Sequence, residues 1–149
     1  MDAKYVNVFL EAFSLTLEQF GVRDIKRTNI KKKSKLYVDS EVSTIILLNG
    51  GIQGNIALSM SQDTAKGLAS AMMMGMSVSV IDDLAKSAIG ELSSMIAGTS
   101  STMIVSLGIA LQISPPVVIF NACEINPLET LAVDFETHLG KIEYNIGFA

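Results

Sequence analysis

Ser87, Glu91, Ser94 and Gly98 recur at spacings of four, three and four within residues 82–98, which read DDLAKSAIGELSSMIAG. At about 3.6 residues per helical turn, those spacings put all four on one narrow stripe. A single carboxylate bordered by serines and a glycine leaves room for another molecule to approach the helix closely. Such a stripe can serve chemistry performed on a partner, and it can also be plain solvated surface. Leu84, Ala88, Leu92, Met95, Thr99 and Met103 repeat on a neighbouring face. That face is expected to enter the core.

The order Ser87-x-x-x-Glu91-x-x-Ser94, followed by Gly98, resembles the motif of the CheC/CheX phosphatases of bacterial chemotaxis, most closely the single-motif CheX branch. In that family the motif runs Ser or Asp, three residues, Glu, two residues, Asn, with a proline further along. Ser87 and Glu91 match, Pro115 and Pro116 stand near the expected proline, and Ser94 occupies the place of Asn. GELSSMIAG at 90–98, ISPPVV at 113–118 and YVNVFLEAF at 5–13 also look family-like.

The resemblance implies a protein that acts on a phosphorylated CheY-like receiver domain and hydrolyses its aspartyl phosphate. Carried over by position, Glu91 is the docking carboxylate that pairs with a lysine of the receiver. Ser94 stands at the water-positioning place, while Ser87 and Gly98 belong to the partner contact. Magnesium is expected in the receiver, and the chain needs no cofactor or metal of its own. Family members dimerise through their sheets, so a homodimer is expected. The implied fold is α/β of the α+β type: a largely antiparallel sheet with two long helices packed on it, in a single CheX-like domain over residues 1–149.

Serine at 94 separates two functional readings. An Asn side chain reaches further and offers a planar amide donor and a carbonyl acceptor; serine offers one rotatable hydroxyl on a shorter arm. If orientation of the water is lost, the rate could fall about 10²-fold or more. Adjacent Ser93 points about 100° away around the helix and cannot substitute. The alternative is therefore a receiver-binding or dimerising module of the same fold that has lost hydrolysis. Gly98 likewise has two readings: close approach of a partner, or packing of two helices within the chain.

Composition agrees with this class. A chain of 149 residues can bury a sizeable core, and 49% apolar against 17% charged residues leaves much neutral surface for a second copy to cover. The lone Cys123 forms no internal disulfide, and nothing resembles a signal peptide, which points to a reduced, cytoplasmic setting. No charge occurs between Leu92 and Cys123, yet Ser, Thr, Gln and the Pro115-Pro116 pair interrupt that stretch. It reads as a buried helix and strand rather than a membrane span.

The hydrophobic pattern predicts the elements that must position the stripe. A helix is expected over 2–20 with Gly21 as its stop, and a hairpin over 42–48 and 52–60 around Asn49-Gly50-Gly51. Ser61 can cap a helix that ends at Gly75, and the long motif helix follows from Asp82. Residues 116–122 open the closing sheet region. Residues 130–138 and 141–148 alternate as a second hairpin around Leu139-Gly140. The shorter helix carries Asp63, Gly67 and Ser70 but no central Glu, so one active site per chain is expected.

Seven of the eleven Lys and Arg residues lie between Arg23 and Lys35. With net charge −4, no Trp and no interleaved aromatics, that run reads as a solvated loop or a lysine-protected edge strand, with contact to an acidic protein partner as a third use, rather than as a nucleic-acid surface. His138 has no Cys or His neighbour in sequence for a metal, and Gly50, Gly51 and Gly54 lack the Lys-Ser/Thr ending of a phosphate loop. Glu124 and Glu129 flank the Asn126-Pro127 turn and are expected to be solvated.

Overall fold

A computed structural model describes residues 2–149. Helix α1 (Ala3–Gln19) starts at Asp2, whose side chain accepts from the Lys4 N–H, and it stops where Gly21 turns left-handed. Four strands follow: β1 (Lys26–Lys33), β2 (Leu36–Val38), β3 (Val42–Gly50) and β4 (Gly54–Met60). Helix α2 (Gln62–Met72) is capped by Ser61 Oγ, which accepts from Thr64 N, and helix α3 (Asp83–Ile104) by the Asp82 side chain, which accepts from Ala85 N. A short 3₁₀ turn leads to β5 (Leu111–Ile113), β6 (Val117–Phe120), β7 (Cys123–Asn126), β8 (Thr130–Thr137) and β9 (Gly140–Phe148).

Every strand pairing is antiparallel. The main sheet runs β1-β8-β9-β4-β3-β5, with β6 also on β3, and the two predicted hairpins meet at its centre through β4 and β9. Alternation along β9 sends Ile142, Tyr144 and Ile146 into the core beneath the helices. Phe13 of α1 stacks on Phe135 and Tyr144, at ring separations of 4.4 and 5.2 Å. Helix α3 lies beside α1 over β3, β5 and β6. The fold class is the expected one: a mostly antiparallel sheet with two long helices on one face.

The opposite face is partly roofed by a separate ribbon of β2 and β7, which the hydrophobic pattern did not reveal. Leu36 and Val38 of that ribbon pack with Ala57, Ile45, Ile119 and Ile125. The basic run is indeed an edge strand, β1, exposed along its length until Lys33. Lys33 departs from the solvated pattern, since its Nζ is buried between Glu143 Oε1 (2.8 Å), Asn145 Oδ1 (2.7 Å) and the Tyr37 carbonyl (2.9 Å).

Two other expectations shift. The first hairpin turns at 51–53 rather than at Asn49-Gly50-Gly51, because β3 runs on to Gly50 and pairs there with β5. A side chain at Gly50 would place its Cβ 2.6 Å from the Ala110 carbonyl oxygen, so this glycine serves close backbone approach. The buried stripe of α3 is Ala85, Ile89, Leu92, Ile96, Ser100 and Ile104, not the Leu84–Met103 series. Of that series only Leu92 is fully buried, and Leu84 is 61% exposed. The two stripes lie about one residue apart around the helix, a rotation that only the contact with the sheet decides.

Candidate functional site

Around α3, the residues that differ by one position live in different surroundings. Ile89, Leu92, Ser93 and Ile96 are buried against the sheet, while Ser87 and Glu91 are exposed and Ser94 and Gly98 half-buried. The predicted stripe is thus real and turned outward along about 17 Å of helix, at about 1.5 Å per residue. Ser93 is spent on structure, its Oγ accepting from Thr44 Oγ1 of β3 at 2.9 Å. It is unavailable to stand in for Ser94, as its place on the helix requires.

Among the described residues, Glu91 forms no ion pair. Lys86 lies on the other side of α3 with its Nζ 5.6 Å from the centre of the Phe120 ring. Ser100 and Thr102 return their hydroxyls to carbonyls one turn back. Among the described residues no hydrogen bond ties the Ser87 or Ser94 hydroxyl, so both keep their hydrogen-bonding capacity uncommitted beside the exposed Glu91 carboxylate. At Gly98 a Cβ would meet nothing within 4 Å, so this glycine does not serve helix packing inside the chain.

Sequence reasoning gave no role to Gly90, which supplies the floor of the site. Gly90 is buried, and a Cβ there would lie 3.3 Å from Pro116 Cγ and 3.7 Å from Val118 Cγ2. The helix therefore rests on the prolyl ring and the start of β6 one position before Glu91. The glycine in the GELSS phrase and the later Pro-Pro were both visible in the sequence, but their contact was not.

The remaining candidates lie elsewhere. His138 is exposed at the tight turn between β8 and β9, and its Nδ1 accepts from the Arg23 N–H at 2.8 Å. Glu124 and Glu129 are both exposed, and Glu124 pairs with Lys35. Cys123 is free and exposed. No three His, Cys, Asp or Glu side chains come together around a possible metal position among the described residues. Among them, too, no helix is long and apolar enough to cross a membrane.

Two long helices laid on one face of an antiparallel sheet, one of them turning Glu91 outward, form the architecture of CheC/CheX-like proteins. Known structures share that architecture: a CheX from Desulfovibrio desulfuricans superposes with a TM-score of 0.86 at 21% identity, covering 98% of this chain and 99% of that one. The sequence profile of the family described as chemotaxis phosphatase CheX matches residues 42–128, more than half of the chain. The chain belongs to the CheX family. It is 35% identical over 119 residues to the CheY-P phosphatase CheX of Thermotoga maritima, covering 80% of this chain and 77% of that protein. It is also similar to the CheX of a CheX–CheY–BeF3–Mg complex from Borrelia burgdorferi, with a TM-score of 0.75, 27% identity and 97% coverage of each chain.

Proposed function

We propose that this chain docks a phosphorylated CheY-like receiver domain on the outward stripe of α3 and promotes hydrolysis of its aspartyl phosphate. The observation that carries the reading is the free, exposed carboxylate of Glu91, set between Ser87, Ser94 and an open Gly98 on a helix fixed to the core. Glu91 pairs with a cation of the receiver beside its acyl phosphate. The Ser94 hydroxyl binds a water in line with phosphorus; the water oxygen bonds to phosphorus as the P–O bond to the aspartyl oxygen breaks, giving inorganic phosphate and the free aspartate carboxylate. The receiver brings its own magnesium, so the chain contributes position rather than a metal.

A second reading, receiver binding without hydrolysis, draws on the side chain at 94. A single hydroxyl on a short arm fixes a water less firmly than the family's amide, at a cost of about 10²-fold or more if orientation is lost. The test is phosphate loss from a phosphorylated receiver of the same organism, with native protein, Glu91→Ala and Ser94→Asn. Acceleration by the native protein that vanishes in Glu91→Ala is the expected result. Binding without acceleration, converted to turnover by Ser94→Asn, selects the second reading. Neither binding nor turnover by native protein or Ser94→Asn overturns both.

The expected homodimer also has a surface to use. Leu47 and Val117 are 52% and 55% exposed on the sheet face opposite α1 and α3, beside half-exposed Ile45 and Ile119. Burying such a patch against a second copy is a natural source of association. Light scattering at micromolar concentration should give a dimer mass that falls to monomer in Leu47→Glu; a monomeric native protein refutes it.

A further inference from the structure

Leu84 is expected in the core by its spacing, yet it is 61% exposed on a helix whose buried face is filled by Ala85, Ile89 and Leu92. It precedes Glu91 by seven residues, two turns with a drift of only about 20°. It therefore extends the Ser87, Glu91, Ser94 and Gly98 stripe towards the start of α3. Two residues before the cap, Val80 is 55% exposed as well. Asp82 Oδ1 accepts from Ala85 N at 2.9 Å, so Leu84 is presented from a capped, regular first turn. The outward face of α3 thus joins a polar half that can do chemistry to one exposed leucine in the first turn, flanked by the exposed Asp82 and Asp83.

We infer that Leu84, the bare leucine at the start of α3, is the apolar anchor that seats the phosphorylated receiver on that helix. The inference rests on the receiver-docking reading above. An exposed carboxylate and two hydroxyls trade one set of hydrogen bonds for another and add little net affinity. A bare leucine on the same stripe supplies burial of apolar surface, which is non-directional and does not touch the reacting atoms. The occupant is a receiver domain because Leu84 lies in line with the stripe that carries Glu91, and because a relative at 27% identity is solved in complex with CheY. Leu84 acts on affinity and seating, and Glu91 and Ser94 act at the phosphoryl group.

The test is Leu84→Ser in the full chain, read by the Kd for a beryllofluoride-activated, magnesium-loaded CheY-like receiver and by light scattering. Where the native protein accelerates phosphate loss, KM and kcat are read as well. The Kd should rise about tenfold, with KM following it and kcat at saturating receiver changing less than about twofold. Leu84→Met should restore the Kd. Ile30→Ser, which removes a similarly exposed side chain from β1 at the far edge of the sheet, should leave it unchanged. An unchanged Kd in Leu84→Ser, with native protein binding the activated receiver, would overturn the anchor while sparing the docking reading. A loss of dimer mass in Leu84→Ser at unchanged Kd would show a second copy as the occupant, and also overturn it. If folded native protein fails to bind the activated receiver, the docking reading falls and the anchor with it.

Discussion

Replacing Lys33 by Met isolates a buried charge and should be among the most costly single changes at the sheet. The Lys33 and Glu143 side chains are 2% and 8% exposed and 2.8 Å apart. Removing the ammonium strips Glu143 Oε1 of its cation, and leaves Asn145 Oδ1 and the Tyr37 carbonyl without the donor they share. Breaking a buried pair from one side typically costs about 3–5 kcal/mol. Here Lys31 Nζ stays 3.5 Å from Glu143 Oε2, and Asn145 Nδ2 still donates to the carboxylate at 2.9 Å. Those contacts place the expected loss near the lower bound, about 3 kcal/mol, or about 6–12 °C in Tm for a chain of this size.

The pH dependence gives the argument a second handle. Burial pushes the Glu143 carboxyl up, but hydrogen bonds from Lys33 and Asn145 and the charges of Lys33 and Lys31 outweigh it and hold the group below its ordinary value. In the native protein that stabilisation is present above the ordinary carboxylate range and is lost as pH falls through the lowered value. In Lys33→Met burial dominates, so the folded carboxyl moves up and acidification favours the variant. Urea melts at pH 7.5 and pH 4 should therefore show a smaller difference between the two proteins at pH 4. Adding Glu143→Gln to Lys33→Met removes the buried charge and should recover more than half of the loss at pH 7.5. A Tm within about 2 °C of native at pH 7.5, where about 1 kcal/mol is the most such a shift allows, would refute the reasoning.

Further outcomes follow from single atoms. The Tyr144 hydroxyl is buried with no hydrogen-bond partner among the described residues, and burial pushes its pKa up. Tyr144→Phe should raise stability by about 1 kcal/mol, because an unpaired buried hydroxyl carries its desolvation cost uncompensated; a lower Tm would show that the hydroxyl has a partner. Gly98→Ala meets open space in mid-helix, so it should stabilise the protein by about 0.8–1 kcal/mol on helix propensity alone. Gly98→Leu should fold equally well but weaken receiver binding. Native-like affinity in that variant would remove Gly98 from the contact.

Local chemistry made much of this protein legible without a structure. Caps, glycine stops and period-two alternation are encoded within a few residues. Asp82, Ser61, Gly21 and both central hairpins could therefore be read directly, with turns displaced by one or two positions. Spacing also put Ser87, Glu91, Ser94 and Gly98 on one stripe, because helical geometry needs only the chain itself. Spacing could not set the rotation of α3. Leu84 and Ala85 fit amphipathic patterns about 100° apart, and the sheet beneath chose Ala85, leaving Leu84 bare. Nor could it pair Gly90 with Pro116 or bury Lys33 against Glu143, which lie far apart in sequence and meet only when the sheet assembles. A lysine among lysines on an edge strand looks solvated until a ribbon from elsewhere closes over it. What the sequence determined by itself was the type of each element and the order of groups along the motif helix. Which face of that helix meets solvent, and which charges are taken out of water, was decided by long-range packing.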